Sequence, residues 1–199
     1  MERSVAFWFE FASTYSYLSA MRISSAAKAR GIAVIWRPFL LGPIFAAQGW
    51  DTSPFNLYPA KGRYMWRDMQ RICAARGLPF CHPDPFPQNG LMAARLALAA
   101  SEQDRIQAFA QSVYLAQFGD GADISAEPIL LDCLHKAGLD ANLLDRAQSP
   151  EIKSALRAQT EAASVAGIFG APSFTSGTEL FWGDDRLEQA LDHAAARTI

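Results

Sequence analysis

Val5-Ala6-Phe7-Trp8-Phe9-Glu10-Phe11-Ala12-Ser13-Thr14-Tyr15-Ser16 is the stretch that decides the fold. Its first half is apolar on both faces, which is typical of a strand that lies inside a sheet and is covered on both sides. A Ser-Thr pair breaks this pattern, and residues 15–30 then read as a helix that ends before Gly31. Residues 32–36 are a second buried strand. This order predicts a βαβ unit with parallel strands and a right-handed crossover.

The rest of the chain changes character twice. Residues 41–60 show no clean period and are rich in Gly and Pro, so we expect a long ordered loop that lines a site or an interface. Two short strands then surround Ser176-Gly177-Thr178, a hairpin signal, and a last helix begins at Asp184. Helices are predicted between these parts over residues 62–76, 91–101, 104–118, 125–136 and 150–165. An α/β fold whose sheet is completed by both ends of the chain explains this order.

The composition excludes several classes of function. With 18 basic and 20 acidic residues the formal net charge is −2, so the chain lacks the excess cation of a dedicated nucleic-acid binder. The longest Ala/Leu-rich run, residues 91–100, contains Arg95 and is too short to span a bilayer. We see no signal peptide, and the three cysteines include no Cys-x-x-Cys pair. We therefore expect a cytoplasmic protein that has neither nucleic-acid nor membrane partners.

Metal and nucleotide cofactors have no support in the sequence. Cys81-His82 is not followed by a second pair with the spacing of metal ligands. There is no G-x-G-x-x-G after a strand and no P-loop. A Ser-His-Asp hydrolase is not indicated either, because the G-x-S-x-G elbow is missing and the three histidines show no sign of convergence.

Ser13 stands where the first strand passes into the first helix, and two interpretations remain open. The common one is a helix N-cap, a position that Ser and Thr often occupy. The functional one is a ligand site, because a hydroxyl at the carboxyl end of a strand and beside a helix N-terminus suits anion binding.

Three weaker signals lie elsewhere. Pro172 follows Ala171 directly before a strand, which is compatible with a cis bond in a tight turn. Asp184 and Asp185 begin the last helix and are ordinarily caps, although free N–H groups there could hold a carboxylate and an Asp could hold an ammonium. Lys61 is either a functional cation beside the long loop or a solvated lysine at a helix start.

Together these segments resemble one known family. Phe9-Glu10-Phe11-Ala12-Ser13, residues 59–68, Phe169-Gly170-Ala171-Pro172 and Trp182-Gly183-Asp184-Asp185-Arg186 are similar to the 2-hydroxychromene-2-carboxylate isomerase family. That family is close to kappa-class glutathione transferases and, more distantly, to DsbA-type oxidoreductases. The resemblance covers the whole chain and implies a thioredoxin-like fold (βαβ … ββα) with a large all-helical insertion. Residues 1–40 and 167–199 would form the thioredoxin-like domain, and residues 41–166 the connecting loop and the insertion.

The resemblance also implies glutathione as the cofactor, a homodimer and a set of site residues. Ser13 takes the place of the redox cysteine and would donate a hydrogen bond to the glutathione sulfur. The other implied glutathione contacts are the backbone of Ala171 before Pro172, the γ-glutamyl site at Trp182, Gly183, Asp184 and Asp185, and Lys61 for a carboxylate. Candidate contacts to a small aromatic or electrophilic substrate are Phe45, Asn56 and Phe86.

One hydroxyl is energetically sufficient for the role that the resemblance gives to Ser13. Bringing a free thiol to half ionisation at pH 7 requires lowering its pKa from about 8.5, or roughly 2 kcal/mol. A hydrogen bond to a charged group contributes about 1.5–3 kcal/mol. Neither a metal nor a general base is needed for this step.

The activity that the resemblance implies is a glutathione-dependent isomerisation, in which a thiolate adds to a conjugated carbon, the new single bond rotates and the thiolate leaves. Two alternatives stay open: a kappa-like glutathione transferase that acts on another electrophile, and a glutathione-binding module without turnover. Three residues depart from the family pattern. Thr14 replaces a usual proline, Asp184 adds a second negative charge, and Phe45 lies where some aromatic-degrading isomerases present a lysine to the substrate.

Overall fold

The protein is described by a computed structural model of residues 3–50 and 52–196. Its strands are β1 (Ser4–Phe9), β2 (Ala33–Pro38), β3 (Ser173–Ser176) and β4 (Glu179–Trp182). They form one sheet in the order β2-β1-β3-β4. β1 is parallel to β2 and antiparallel to β3, and β3 is antiparallel to β4. Both ends of the chain therefore build the sheet, as the sequence predicts.

Aromatic side chains hold the sheet together around β1. Phe7 lies opposite Trp36 of β2 and Phe174 of β3, with ring centroids 5.0 Å and 5.5 Å away. On the other face Trp8 packs edge-on against Phe39. Since Phe7 and Trp8 are both buried on opposite faces, the prediction of a strand covered on both sides is confirmed.

Helices surround this sheet and fill the middle of the chain. The helices are α1 (Thr14–Ala20), α2 (Ile23–Lys28), α3 (Leu41–Ala47), α4 (Pro54–Leu57), α5 (Pro59–Arg76), α6 (Leu91–Ser101), α7 (Ile106–Tyr114), α8 (Glu127–Lys136), α9 (Leu143–Gln148), α10 (Pro150–Val165) and α11 (Leu187–Ala196). A π-helical turn, Leu115–Gly119, continues α7, and a 3-10 turn, Asp184–Arg186, precedes α11. Among the described residues, none of these helices combines the length and apolar character that crossing a membrane requires.

The prediction of a loop over residues 41–60 is wrong. This segment contains α3 and α4, and α5 begins at Pro59. α4 is started by Ser53, whose Oγ accepts the Phe55 N–H, with a proline in the first turn. Helices of four and seven residues are too short for a hydrophobic period to show, and so the sequence pattern looked irregular.

Two further elements differ from the sequence predictions. The helix expected over residues 15–30 is broken into α1 and α2 at Arg22, whose guanidinium is drawn toward Asp184. α9 lies in a stretch for which we predicted no helix. Arg22, at the break, is bound by a partner 162 positions away, which local sequence patterns do not reveal.

The helical middle of the chain packs directly on the sheet. Phe11 follows β1 and contacts Tyr114 of α7, with ring centroids 5.2 Å apart. Phe9 and Phe109 belong to the same cluster of buried side chains. The division into a thioredoxin-like domain and an insertion stays a prediction, and the core is continuous across that boundary.

Candidate active site

A cavity of about 1020 Å³ lies where the end of β1, the turn before β3 and the end of β4 meet α3, α5 and the start of α6. This volume is at the upper end of the range for small-molecule sites. All the site residues predicted from the sequence line this cavity except Asn56. The fold thus brings together residues from both ends of the chain and from its middle.

Ser13 combines the two interpretations that the sequence left open. It caps α1, since its Oγ accepts the Ser16 N–H at 3.2 Å. The same hydroxyl donates to the Ala171 carbonyl at 2.8 Å. The cap therefore fixes the hydroxyl at the cavity wall and directs its proton toward the opposite turn.

The turn that Ser13 contacts contains a cis peptide bond between Ala171 and Pro172, in agreement with the sequence. The residue before this bond, Gly170, leaves no room for a side chain because the indole of Trp182 lies against it. A Cβ on Gly170 would come within 2.5 Å of Trp182 Nε1. Trp182 also packs on Phe169, with ring centroids 5.0 Å apart, and both rings are about half exposed at the cavity rim.

Gly183 and Asp185 form the next part of the rim. Gly183 has φ +107°, a backbone conformation that favours glycine, and its N–H donates to the Pro172 carbonyl at 2.9 Å. A Cβ there would collide with Asp185 Oδ1 at 2.6 Å. The Asp185 side chain is 73% exposed, with Arg186 at 3.3 Å, so its carboxylate can accept a ligand cation.

Asp184 is buried, and its carboxylate is already bound by residues of the protein. Arg76 donates to Oδ2 at 2.7 Å, while Arg22 and Ser19 donate to Oδ1 at 3.1 and 2.9 Å. Two guanidinium groups thus offset the second negative charge that departs from the family pattern. Because the carboxylate is occupied and the carbonyl accepts Arg22 Nη2 at 2.6 Å, Asp184 has only its backbone N–H to offer a ligand.

Two cations lie in the cavity wall, both on α5. Lys61, in the first turn, is exposed, and its Nζ lies 5.1 Å from the centre of the Tyr58 ring. Arg76, in the last turn, was not predicted as a site residue. It is the last residue of a long helix and precedes a glycine, which in sequence is typical of an ordinary C-terminal cation.

The opposite wall is aromatic. Phe45 of α3 packs against Trp50, and Phe86 packs edge-on against Trp66 at 4.7 Å. Phe45 and Phe86 line the cavity, as predicted. Such a wall suits a flat apolar substrate.

Asn56 does not line the cavity. Its amide is exposed and donates to Thr52 Oγ1 at 3.2 Å and to the Phe86 carbonyl at 3.4 Å. Asn56 therefore joins the start of α4 to the aromatic wall. The substrate contact predicted for it has no geometric support.

Glu10 and Gln88 line the cavity and were not predicted as site residues. Both are buried, at 9% and 5% exposure. Burial raises the pKa of Glu10 to about 7, while a hydrogen bond from the Ala12 N–H acts in the opposite direction. A carboxylate inside an apolar run was the available sequence signal for Glu10.

Tyr15 and Asp68 form a hydrogen-bonded pair in the cavity wall that was also not predicted from the sequence. Tyr15 Oη donates to Asp68 Oδ2 at 3.0 Å, and both residues line the cavity. Burial, together with this carboxylate, raises the pKa of Tyr15. Tyr15 is therefore a neutral donor near neutral pH.

Comparison with known proteins identifies the family of this fold. The profile of the DSBA-like thioredoxin domain family matches residues 4–195. The chain belongs to this family. A 2-hydroxychromene-2-carboxylate isomerase of Sphingobium xenophagum is 30% identical, over 94% of this chain and 96% of the relative. Human glutathione S-transferase kappa 1 is 26% identical, over 94% of this chain and 89% of the relative.

A solved structure of a 2-hydroxychromene-2-carboxylate isomerase superposes with a TM-score of 0.85 at 25% identity, covering 96% of this chain and 93% of that one. The thioredoxin-like fold and the family resemblance predicted from the sequence are confirmed. The expectation of an enzyme is confirmed. The isomerase relative supports the first expectation, an isomerase, and the kappa transferase supports the second, a transferase.

Proposed function

We propose that this enzyme is a glutathione-dependent isomerase of the 2-hydroxychromene-2-carboxylate isomerase type. The observation that carries the proposal is the Ser13 hydroxyl, fixed as a helix cap at the wall of a large cavity and 2.8 Å from the carbonyl of the cis-proline turn. The cavity holds no cysteine among its lining residues, so a thiol used there must come from a ligand.

The described residues fit glutathione at each of its charged or polar ends. Asp185 is the exposed carboxylate that would take the ammonium of the γ-glutamyl group. The backbone N–H groups of Trp182 and Asp184, on either side of the Gly183 turn, would take its carboxylate, and Lys61 the second carboxylate. Ala171 would pair its backbone with the peptide next to Pro172.

Ser13 and Ala171 are coupled in this arrangement. When the Ser13 hydroxyl turns from the Ala171 carbonyl toward a sulfur, that carbonyl becomes free to accept an N–H of the ligand. One hydrogen bond is exchanged for two. The switch therefore favours the ionised thiol only when the peptide is correctly seated.

Bound glutathione would supply a thiolate that adds reversibly to a conjugated carbon, so that a double bond can rotate as a single bond. The residues of the chain would hold and stabilise it. A hydrogen bond from Ser13 to the charged sulfur contributes about 1.5–3 kcal/mol. The aromatic wall with Phe45 and Phe86 would hold the substrate ring and exclude water.

A transferase is the second candidate function, and one observation favours it. Phe45 gives the wall no cation where some related isomerases hold the substrate carboxylate, so a neutral electrophile would fit as well. The similarity to human glutathione S-transferase kappa 1 points the same way. A glutathione-binding module without turnover would share the cleft but show neither activity.

The first experiment measures the melting temperature with and without about 10 mM reduced glutathione. For a Kd near 1 mM, ligand linkage predicts roughly 1.4 kcal/mol of stabilisation, which is about 3–5 °C for this size. Asp185→Asn should abolish the shift, while Asp192→Asn, which removes another exposed carboxylate, should keep it. Absence of a shift in the wild-type protein would contradict glutathione binding.

The second experiment separates the activities. Isomerisation of a hydroxychromene acid and conjugation of a simple electrophile are followed at fixed enzyme and increasing glutathione. Ser13→Ala should raise the pKa of the bound thiol, read from thiolate absorbance, and lower both rates. Isomerisation that does not depend on glutathione would refute the proposal. The homodimer and the cytoplasmic location implied at the outset stay predictions.

A further inference from the structure

Glu10 is a buried acid in the cavity wall without a charged partner. Its carboxyl accepts the Ala12 N–H, and no ion pair to it occurs among the described residues. Its main chain is held firmly, since its carbonyl accepts both the Tyr114 hydroxyl at 2.9 Å and the Ser13 N–H at 3.0 Å. The backbone of Glu10, three residues before Ser13, is thus fixed in place.

The start of α6 leaves room for this carboxyl. A Cβ on Gly90 would lie 3.3 Å from Glu10 Oε1 and 3.1 Å from Phe11 Cβ, so any larger residue at position 90 would crowd it. Gln88 lies two residues before Gly90, and its Oε1 accepts the Ile124 N–H at 3.0 Å. Its buried Nε2 has no hydrogen-bond partner among the described residues. A buried donor of this kind calls for a water or a ligand atom.

The other charged groups that line this cavity are either bound to a partner or exposed. Asp184 is bound to Arg22 and Arg76, Asp68 to Tyr15, and Asp185 and Lys61 lie at the exposed rim. Tyr114 of α7 faces Glu10, and burial keeps its hydroxyl neutral by raising its pKa. Tyr64 is the remaining titratable group, and it too is exposed. Glu10 is therefore the carboxyl in the described wall that is both buried and free to exchange a proton.

From this arrangement we infer that Glu10 is the catalytic acid–base of the proposed reaction, with the Gln88 amide holding the substrate oxygen beside it. The inference rests on the proposed glutathione chemistry. The S–H bond of the bound thiol breaks, its electron pair stays on sulfur, and the proton forms an O–H bond with a Glu10 oxygen. The proton passes to the substrate after sulfur has added, and the same steps in reverse restore thiol and carboxylate, so nothing is oxidised or reduced.

The environment of Glu10 suits this task. An acid–base group works best when its pKa lies near the working pH, and burial brings the pKa of Glu10 to about 7. A surface carboxylate would remain ionised and could not return the proton. Ser13 and Glu10 thus divide the work, because one stabilises the charge on sulfur and the other stores the proton.

The first test needs no turnover. Glutathione is titrated into the protein at pH 8 by calorimetry in two buffers of different ionisation enthalpy, and thiolate is read from its absorbance. In the wild-type protein, the negative charge of the thiolate should raise the proton affinity of the neighbouring Glu10 carboxyl, so that clearly less than one proton per thiolate is released to the buffer. Glu10→Gln should release about one proton per thiolate formed, and the matched control Glu179→Gln, an exposed Glu of β4, should match the wild type. Equal release in the wild type and Glu10→Gln would overturn the inference.

The second test is the pH profile of isomerisation. Glu10→Gln should lower kcat about 10²–10⁴-fold and remove the titration near neutral pH, while Glu10→Asp should retain part of the rate and a shifted profile. Gln88→Leu should raise KM for the substrate and leave the Tm shift with glutathione unchanged. A profile for Glu10→Gln with the same shape as the wild type would count against the inference.

The two tests distinguish failure of the inference from failure of the proposed function. If glutathione neither binds nor ionises in the wild-type protein, both fail together. The other case is that glutathione binds and ionises in a way that requires Ser13, while the number of protons released is the same with and without Glu10. In that case the proposed function stands and the acid–base role of Glu10 is wrong.

Discussion

At the scale of single residues, Glu10 links stability to pH. The folded protein holds its proton more tightly than the unfolded chain does, because its pKa is about 7 in the fold and 4.5 in its ordinary state. The stability that the neutral carboxyl contributes is complete below about pH 4.5 and is lost as the pH rises through 7. Above that pH the buried carboxylate is a cost to the fold.

We therefore expect Glu10→Gln to gain stability relative to the wild type as the pH rises. The difference in the free energy of unfolding should grow between pH 4.5 and 7 and reach roughly 3 kcal/mol. Urea denaturation at pH 5, 6, 7 and 8 measures it. Glu179→Gln, which removes an exposed carboxylate, should show no such trend. Parallel curves for Glu10→Gln and the wild type would show that Glu10 titrates normally.

How far single residues could be predicted depends on how local their surroundings are. Ser13, Ala171 and Pro172 belong to turns whose residue types identify them, and the structure brings them together. The surroundings of Glu10 and Gln88 include Gly90 and Ile124 respectively, which lie elsewhere in the chain. A carboxyl between two phenylalanines therefore looked like the end of a strand.

At the scale of elements, the packing of α4 on α5 reverses an ordinary rule. Glycine inside a helix usually costs about 0.5–1 kcal/mol relative to alanine. Gly62 of α5 is an exception, because a Cβ there would lie 2.5 Å from the Phe55 carbonyl oxygen of α4. Lys61 and Phe55, which both line the cavity, are held in place by this close approach.

Gly62→Ala should therefore destabilise the protein by about 1–3 kcal/mol, the usual cost of overpacking. It should also weaken glutathione binding, since α4 must move. Gly42→Ala in α3 is the matched control. Apart from its chain neighbours that position has open space around it. Because Pro43 follows and disfavours a helical residue that carries a Cβ, the free energy of unfolding should change by less than about 1 kcal/mol. Thermal unfolding of both variants decides the matter, and a loss for Gly62→Ala no larger than that for Gly42→Ala would contradict the close approach.

The elements that sequence analysis missed were short or set by tertiary contacts. The long, periodic helices α6 and α10 were predicted, and the Ser149 cap of α10 is present with its Oγ accepting the Ile152 N–H. α3 and α4 have too few residues for a period. Arg22, at the break between α1 and α2, is bound by Asp184, which the chain reaches only near its end.

At the scale of the whole molecule, Asp184 ties three regions together. Its carboxylate joins Ser19 of α1 and Arg22 to Arg76 at the end of α5. The 3-10 turn that carries Asp184 also carries the proposed γ-glutamyl site. The position of this site relative to the helical part of the chain is therefore set by one buried acid.

Asp184→Asn should leave part-buried Arg76 without its counterion and leave Arg22 with only the exposed Glu188. We expect a loss of about 2–4 kcal/mol in the free energy of unfolding, slightly less than for a fully buried pair because the arginines are partly solvated. Asp192→Asn breaks the exposed pair with Arg30 and should cost at most about 1 kcal/mol. Chemical denaturation of both variants provides the comparison. Similar losses for the two would mean that burial does not strengthen the Asp184 pairs.

The order of strands in the sheet also has a consequence for synthesis on the ribosome. β1 pairs with β3, which is made nearly the whole chain length later, as the Trp8–Thr175 hydrogen bond across 167 positions shows. At about 5–20 residues per second, one edge of β1 stays open for roughly 10–30 s after it emerges. That edge exposes unpaired N–H and C=O groups of a strand with apolar faces, so the nascent chain must be shielded from self-association until its last strands arrive.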